Sequence, residues 1–168
     1  DDYDDLISAS WTCSIPAAAV VMTSKVNGVR GNGWHGGVIG AGYVAAVPNG
    51  AFTALASGNV QDFEYDGFSV RVQSTSATGT CLSTSSRGGN VAKNMILSGV
   101  SVAFGVGLAL NGAMTYIHRC LITGLLRGLA TGSFAHGSLF ANNTVVGNGT
   151  GIYAEGSGAN TVGKYYNN

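Results

Sequence analysis

The stretch Phe140-Ala141-Asn142-Asn143-Thr144-Val145-Val146-Gly147-Asn148-Gly149-Thr150-Gly151-Ile152 decides the fold. Short runs of β-branched or aliphatic residues are broken by glycine and asparagine, a pattern of strand, bend and strand again. Glycine and asparagine tolerate positive φ, so they suit sharp bends. The pattern recurs upstream. Tyr65-Asp66-Gly67-Phe68-Ser69-Val70, Leu97-Ser98-Gly99-Val100 and Ile122-Thr123-Gly124-Leu125 align with Val145-Val146-Gly147-Asn148, their glycines 32, 25 and 23 residues apart. A second series opens at Gly79, Gly107, Gly128 and Gly151, with intervals of 28, 21 and 23. The two series drift together, as expected of stacked supersecondary units that each bury a neighbour's face.

A leucine-rich repeat would need leucines at fixed offsets and a helical half. No window here shows the apolar period of an amphipathic helix over three turns. A coil of three short strands fits about two dozen residues, with coils roughly 4.8 Å apart. Parallel strands joined by crossovers strongly prefer the right-handed sense. The expectation is therefore an all-β chain, a right-handed parallel β-helix over residues 60–168. Asn94, Asn142-Asn143 and Asn167-Asn168 recur near the unit starts, with Cys120 at the equivalent place in the middle one. They serve either as turn residues or as a ladder hydrogen-bonded along the axis. Residues 1–59 are read as an irregular lead-in or cap, or as early coils, with short strands at Tyr43–Val47 and Phe52–Ala56. The stretch from Ile15 to Met22 reads as a strand or a capping helix.

Composition narrows the classes. Charged residues are 10% of the 168, hydrophobic ones 45%, and mean hydropathy is +0.24, which separates the chain from disordered sequences. Glycine does not recur every third residue and proline numbers only 2, so collagen is excluded. No uncharged apolar run reaches the ~18 residues of a membrane helix. Eight basic residues balance eight acidic ones, and the bases of the coil region are dispersed, which disfavours nucleic acid. Cys13, Cys81 and Cys120 follow no metal-ligand spacing and read as small buried apolar residues. The chain does not start with methionine and stops within another repeat, so it is read as a piece of something longer.

The segment Phe140–Ile152 and its weaker copies resemble the coils of right-handed parallel β-helix proteins. That superfamily includes pectate-lyase-like enzymes, phage tailspikes and other virion proteins. The opening Tyr3-Asp4-Asp5-Leu6-Ile7-Ser8-Ala9-Ser10-Trp11 is similar to the short segment preceding the helix in some phage members. The resemblance implies a fold but no activity.

Chemistry is sparse. A glycosidase needs two carboxylates, and a calcium-dependent lyase needs several with a basic partner. From Gly67 to Ala154 there is no carboxylate for 88 residues. An enzyme would have to use Asp62, Glu64 and Asp66, with Arg71 as basic partner, or Glu155. Their alternate spacing puts three carboxylates on one strand face with Phe63 and Tyr65 opposite. That face either binds a cation or is simply solvated. Trp34, Tyr43, Tyr116 and Tyr153 form a candidate carbohydrate-stacking set, or pack between coils and subunits. His35, His118 and His136 show no metal spacing and read as turn or surface residues. Gly31–Gly36 matches GxGxxG only superficially, so neither metal nor cofactor is expected. Asn142-Asn143-Thr144 and Asn148-Gly149-Thr150 match glycosylation sequons, as asparagine-rich chains do by chance.

The sequence thus favours a non-enzymatic structural or adhesive element: a virion spike, fibre or decoration protein. It would act outside the cell as a homotrimer beside other virion proteins, with a surface glycan as ligand and neither nucleic acid nor membrane insertion. The alternative is a polysaccharide lyase or glycoside hydrolase, or a fragment of one.

Overall fold

The computed structural model describes residues 4–6, 20–23, 25–26, 29–30, 35, 37–39, 44–47, 53–56, 63–73, 79–84, 88–111, 114–132, 137–154 and 164–168. Their strands fall into three parallel sheets. Sheet one holds β2 (Val20–Thr23), β7 (Phe63–Asp66), β10 (Val91–Lys93), β13 (Tyr116–His118), β16 (Leu139–Ala141) and β19 (Lys164–Tyr166). Sheet two holds β1 (Asp4–Leu6), β5 (Val44–Val47), β8 (Ser69–Val72), β11 (Ile96–Gly99), β14 (Leu121–Thr123) and β17 (Thr144–Val146). Sheet three holds β6 (Thr53–Ala56), β9 (Thr80–Thr84), β12 (Val106–Leu110), β15 (Arg127–Thr131) and β18 (Thr150–Ala154). A separate antiparallel pair joins β3 (Lys25–Val26) to β4 (Val29–Arg30). From β7 onward the chain visits the three sheets in strict rotation, so each triad of strands is one coil. This is an all-β solenoid. Among the described residues there is no helix.

The register fixes the repeat. Glu64, Val91, Tyr116 and Leu139 share one position of sheet one, in steps of 27, 25 and 23 residues. Ser69, Ile96, Leu121 and Thr144 do so in sheet two, with identical steps. Thr80, Val106, Arg127 and Thr150 share a position of sheet three, in steps of 26, 21 and 23. Each glycine series read from the sequence therefore misplaces its first member. Gly67 follows a sheet-one strand, whereas Gly99, Gly124 and Gly147 end the sheet-two strands. Gly79 precedes Thr80, the partner of Val106, so its equivalent is Gly105 and not Gly107. The reason is physical: glycine serves several bends of each coil, and the first coil is longer than the rest.

The interior is filled by columns running along the axis. Tyr65, Ala92, Ile117 and Phe140 come from sheet one, Val70, Leu97 and Ile122 from sheet two, and Leu82, Leu108 and Leu129 from sheet three. Cys81 and Cys120 are free thiols in this core, and burial pushes both up to about 12. They behave as small apolar residues there; Cys13 lies outside the described residues. Coils touch closely at Gly107, where an added Cβ would stand 2.5 Å from the Gly128 carbonyl oxygen and 2.7 Å from Ile122 Cγ2.

The corners on either side of sheet one carry left-handed residues in rows. After the sheet-one strands come Gly67, Asn94, Arg119, Asn142 and Asn167, all at positive φ. Before them come Gly89, Met114 and Gly137, also at positive φ. The recurrent asparagines thus divide into two rows. Asn94, Asn142 and Asn167 hold the bend itself, while Asn143 and Asn168 share the next, inward position with Met95 and Cys120.

That inward position carries the ladder. Asn143 Oδ1 accepts the Cys120 N–H at 3.0 Å, and its Nδ2 donates to the Ile117 carbonyl at 3.1 Å. Asn168 repeats the scheme one coil on, accepting the Asn143 N–H at 3.1 Å and donating to Phe140 O at 3.1 Å. The Asn143 amide also donates to Asn168 Oδ1 at 2.9 Å. Asn148, at the next corner, accepts from Leu125 N–H at 3.0 Å and donates to Ile122 O at 2.9 Å. In each case one side chain satisfies a donor and an acceptor that the bend takes out of the sheet ladder.

Candidate functional site

Because side chains alternate along a strand, β7 sends Phe63 and Tyr65 inward and Glu64 outward, while Asp66 points the same way as Glu64 but is covered, only 2% exposed. Register then places Lys93 beside Asp66, and His118 beside Lys93. The Lys93 ammonium lies 2.7 Å from Glu64 Oε1 and 3.9 Å from Asp66 Oδ2. Asn94 Nδ2 donates to Asp66 Oδ1 at 2.6 Å. His35 closes the corner: its Nε2 donates to Asn94 O at 2.7 Å, and its Nδ1 accepts the Gly37 N–H at 2.8 Å. These bonds fix the Nε2-protonated tautomer, and His35 is a buried tether rather than a surface residue.

A glycosidase pair needs room for a sugar between its two carboxyl groups. Here the ammonium of Lys93 occupies that space. Arg71, expected as the basic partner, stands on β8 in sheet two, around the Gly67–Phe68 corner. Lys93 takes its place because sheet pairing brings together residues 27 apart, a relation that only the correct register reveals. Asp62 lies outside the described residues, as do Glu155, Trp34, Tyr43 and His136.

The two remaining aromatic candidates point different ways. Tyr116 lies on the outer face of sheet one, its ring stacked on His118 with centroids 4.5 Å apart and planes 12° off parallel. Tyr153 belongs to sheet three, and the Arg127 guanidinium sits 3.9 Å above its ring. They do not form one sugar-stacking surface.

The third coil differs from the others on this face. Met114, Tyr116 and Arg119 are all exposed, with His118 half-buried between them. Burial holds the His118 pKa down, and the charges of Arg119 and Lys93 add to that, while Asp66 and Glu64 oppose it more weakly. Arg119 drew no attention in the sequence, because nothing but its register among asparagines marks it. Among the described residues no three His, Cys, Asp or Glu side chains group so as to hold a metal ion. No protein-family profile, curated protein or solved structure matches the chain.

Proposed function

We propose that the chain is a non-enzymatic structural or adhesive solenoid: a spike, fibre or decoration element of a virus particle. In this reading it assembles as a homotrimer beside other virion proteins and shares ancestry with the pectate-lyase-like and tailspike β-helices. One observation carries the non-enzymatic part. The outward carboxylates Glu64 and Asp66 are bound to Lys93 and Asn94, and the coils beyond them carry no carboxylate as far as Ala154. Such a cluster cements neighbouring coils, its two carboxylates held by a lysine and an amide instead of standing free for a substrate. The particle and the trimer rest on the resemblance of the coil sequences.

The test is the mass of the native assembly by light scattering on the full-length protein, with a reducing-end assay on a panel of polysaccharides. A stable trimer without new reducing ends supports the proposal. A monomer that releases sugar, and stops doing so in Glu64→Gln, refutes it.

A further inference from the structure

The corner between β17 and β18 is Gly147-Asn148-Gly149, and two separate packing demands set its last two residues. The bend needs a side chain that accepts the Leu125 N–H and donates to Ile122 O, and Asn148 does both, at 3.0 and 2.9 Å. The next residue lies against neighbouring coils, where a Cβ would stand 2.8 Å from Val102 O and 3.1 Å from Leu126 O, so glycine is required. Together these demands produce an Asn-Gly dipeptide. Glycine carries no side chain to shield its nitrogen, which leaves that nitrogen free to attack the preceding asparagine amide. Asn143 makes the equivalent bridge at the other corner, but it precedes the β-branched Thr144 and is shielded.

In the closed coil the reaction is blocked at both reacting groups. Ring closure to a succinimide needs the Gly149 nitrogen to give up its proton and bond to Asn148 Cγ. That N–H is held by Leu125 O at 2.8 Å, and the Asn148 side chain is pinned to the preceding coil by its own two bonds. Among the described residues β17 and β18 are sheet edges, paired on one side only, so this coil opens locally at less than the cost of global unfolding. Once it is open, Gly149 N bonds to Asn148 Cγ, the Cγ–Nδ2 bond breaks, and ammonia leaves with the proton from Gly149 N. Water then opens the ring on either side, leaving aspartate or isoaspartate. Neither product rebuilds the corner. Aspartate has no N–H for Ile122 O and sets a negative charge beside it, while isoaspartate adds a methylene to the backbone where Gly149 already lies against two carbonyls. We propose that Asn148-Gly149 is a latent deamidation site, kept as the amide by its bridge and converted irreversibly when the coil opens, so that it records the failure of that corner.

The experiment ages the full chain at mildly alkaline pH, folded and in urea, and follows Asn148 by peptide mass spectrometry, which reads the replacement of amide nitrogen by oxygen. Expected is deamidation roughly tenfold or more slower in the folded chain than in urea. Val145→Ala trims a partly buried side chain packed against the core beside this corner and leaves the dipeptide unchanged. It should speed deamidation of the folded chain severalfold and leave the rate in urea unaltered. Asn148→Asp installs one product directly, and should raise amide exchange at Leu125, Gly149 and Thr150 by roughly tenfold or more. Equal rates in the folded and unfolded chain, a Val145→Ala rate no faster than the parent's, or parental exchange protection in Asn148→Asp each overturns the proposal. The comparison of folded with unfolded parent chain depends on no variant folding.

Discussion

Replacing Asn143 by alanine removes three side-chain hydrogen bonds at once: from Cys120 N–H, to Ile117 O and to Asn168 Oδ1. Asn143 is only 5% exposed, and Cys120 and Ile117 are buried, so the freed backbone groups have no easy route to bulk water. A buried donor left without a partner costs about 1–3 kcal/mol, and the carbonyl, with a second lone pair, costs less. The sum is about 2–4 kcal/mol, a large part of the ~5–15 kcal/mol that stabilises an ordinary domain. Asn142→Ala is the control. Asn142 is exposed, and its one ladder bond, accepted from Asn167 Nδ2, is long at 3.4 Å. Its loss should cost no more than about 1 kcal/mol, mainly through the left-handed bend. Urea unfolding followed by circular dichroism separates the two variants. Amide exchange should locate the Asn143→Ala damage at Cys120. If Asn143→Ala is no less stable than Asn142→Ala, the side-chain bridge is not what holds the corner, and the ladder argument fails.

Three further outcomes are expected. Gly107→Ala should lose about 2 kcal/mol or more in the same unfolding assay, because its Cβ meets a backbone oxygen of the next coil, while Gly37→Ala, with nothing within 4 Å, should show only the penalty of its positive φ. Met114→Gly should gain about 0.5–1 kcal/mol, since relief of the left-handed strain exceeds the entropy that glycine adds to the unfolded chain; a loss in that assay would show that the methionine packs usefully. The His118 pKa is lowered on folding, so the unfolded chain binds more protons. Its contribution is therefore fully present above the ordinary histidine value near ~6.5 and is lost as pH falls through the lowered one. His118→Gln should flatten that part of the stability–pH curve, and an unchanged curve would show that the group does not sense its neighbours.

Much of the solenoid is legible in the residues themselves. Val44–Val47 and Thr53–Ala56 form strands where β-branched and aliphatic runs sit between turn residues. Asn143 and Asn168 form the axial ladder because an amide offers one donor end and one acceptor end to a bend that needs both. Register was harder to read. Glycine occupies bends at 67, 99 and 105 for different reasons, so alignment by glycine alone set Gly67 against Gly99. With the register wrong, Lys93 could not be matched to Glu64 and Asp66, and Arg71, nearer in sequence, stood in its place. Arg119 was illegible for the same reason, since its oddity exists only relative to Asn94 and Asn142. The inward direction of Phe63 and Tyr65 on β7 is legible because strict alternation needs no partner strand, whereas the burial of Asp66 is not, since it depends on what covers the face.

The asparagine bridges also have a direction. Asn143 reaches back to Ile117 and Cys120, Asn148 to Ile122 and Leu125, and Asn168 to Phe140 and Asn143, always residues 23 to 28 positions earlier in the chain. None of these bridges requires a partner not yet synthesised. As the chain leaves the ribosome, the last coils therefore find their template already in place and close loops of nearly constant length onto it. The order of assembly is written into the acceptors and donors of Asn143, Asn148 and Asn168.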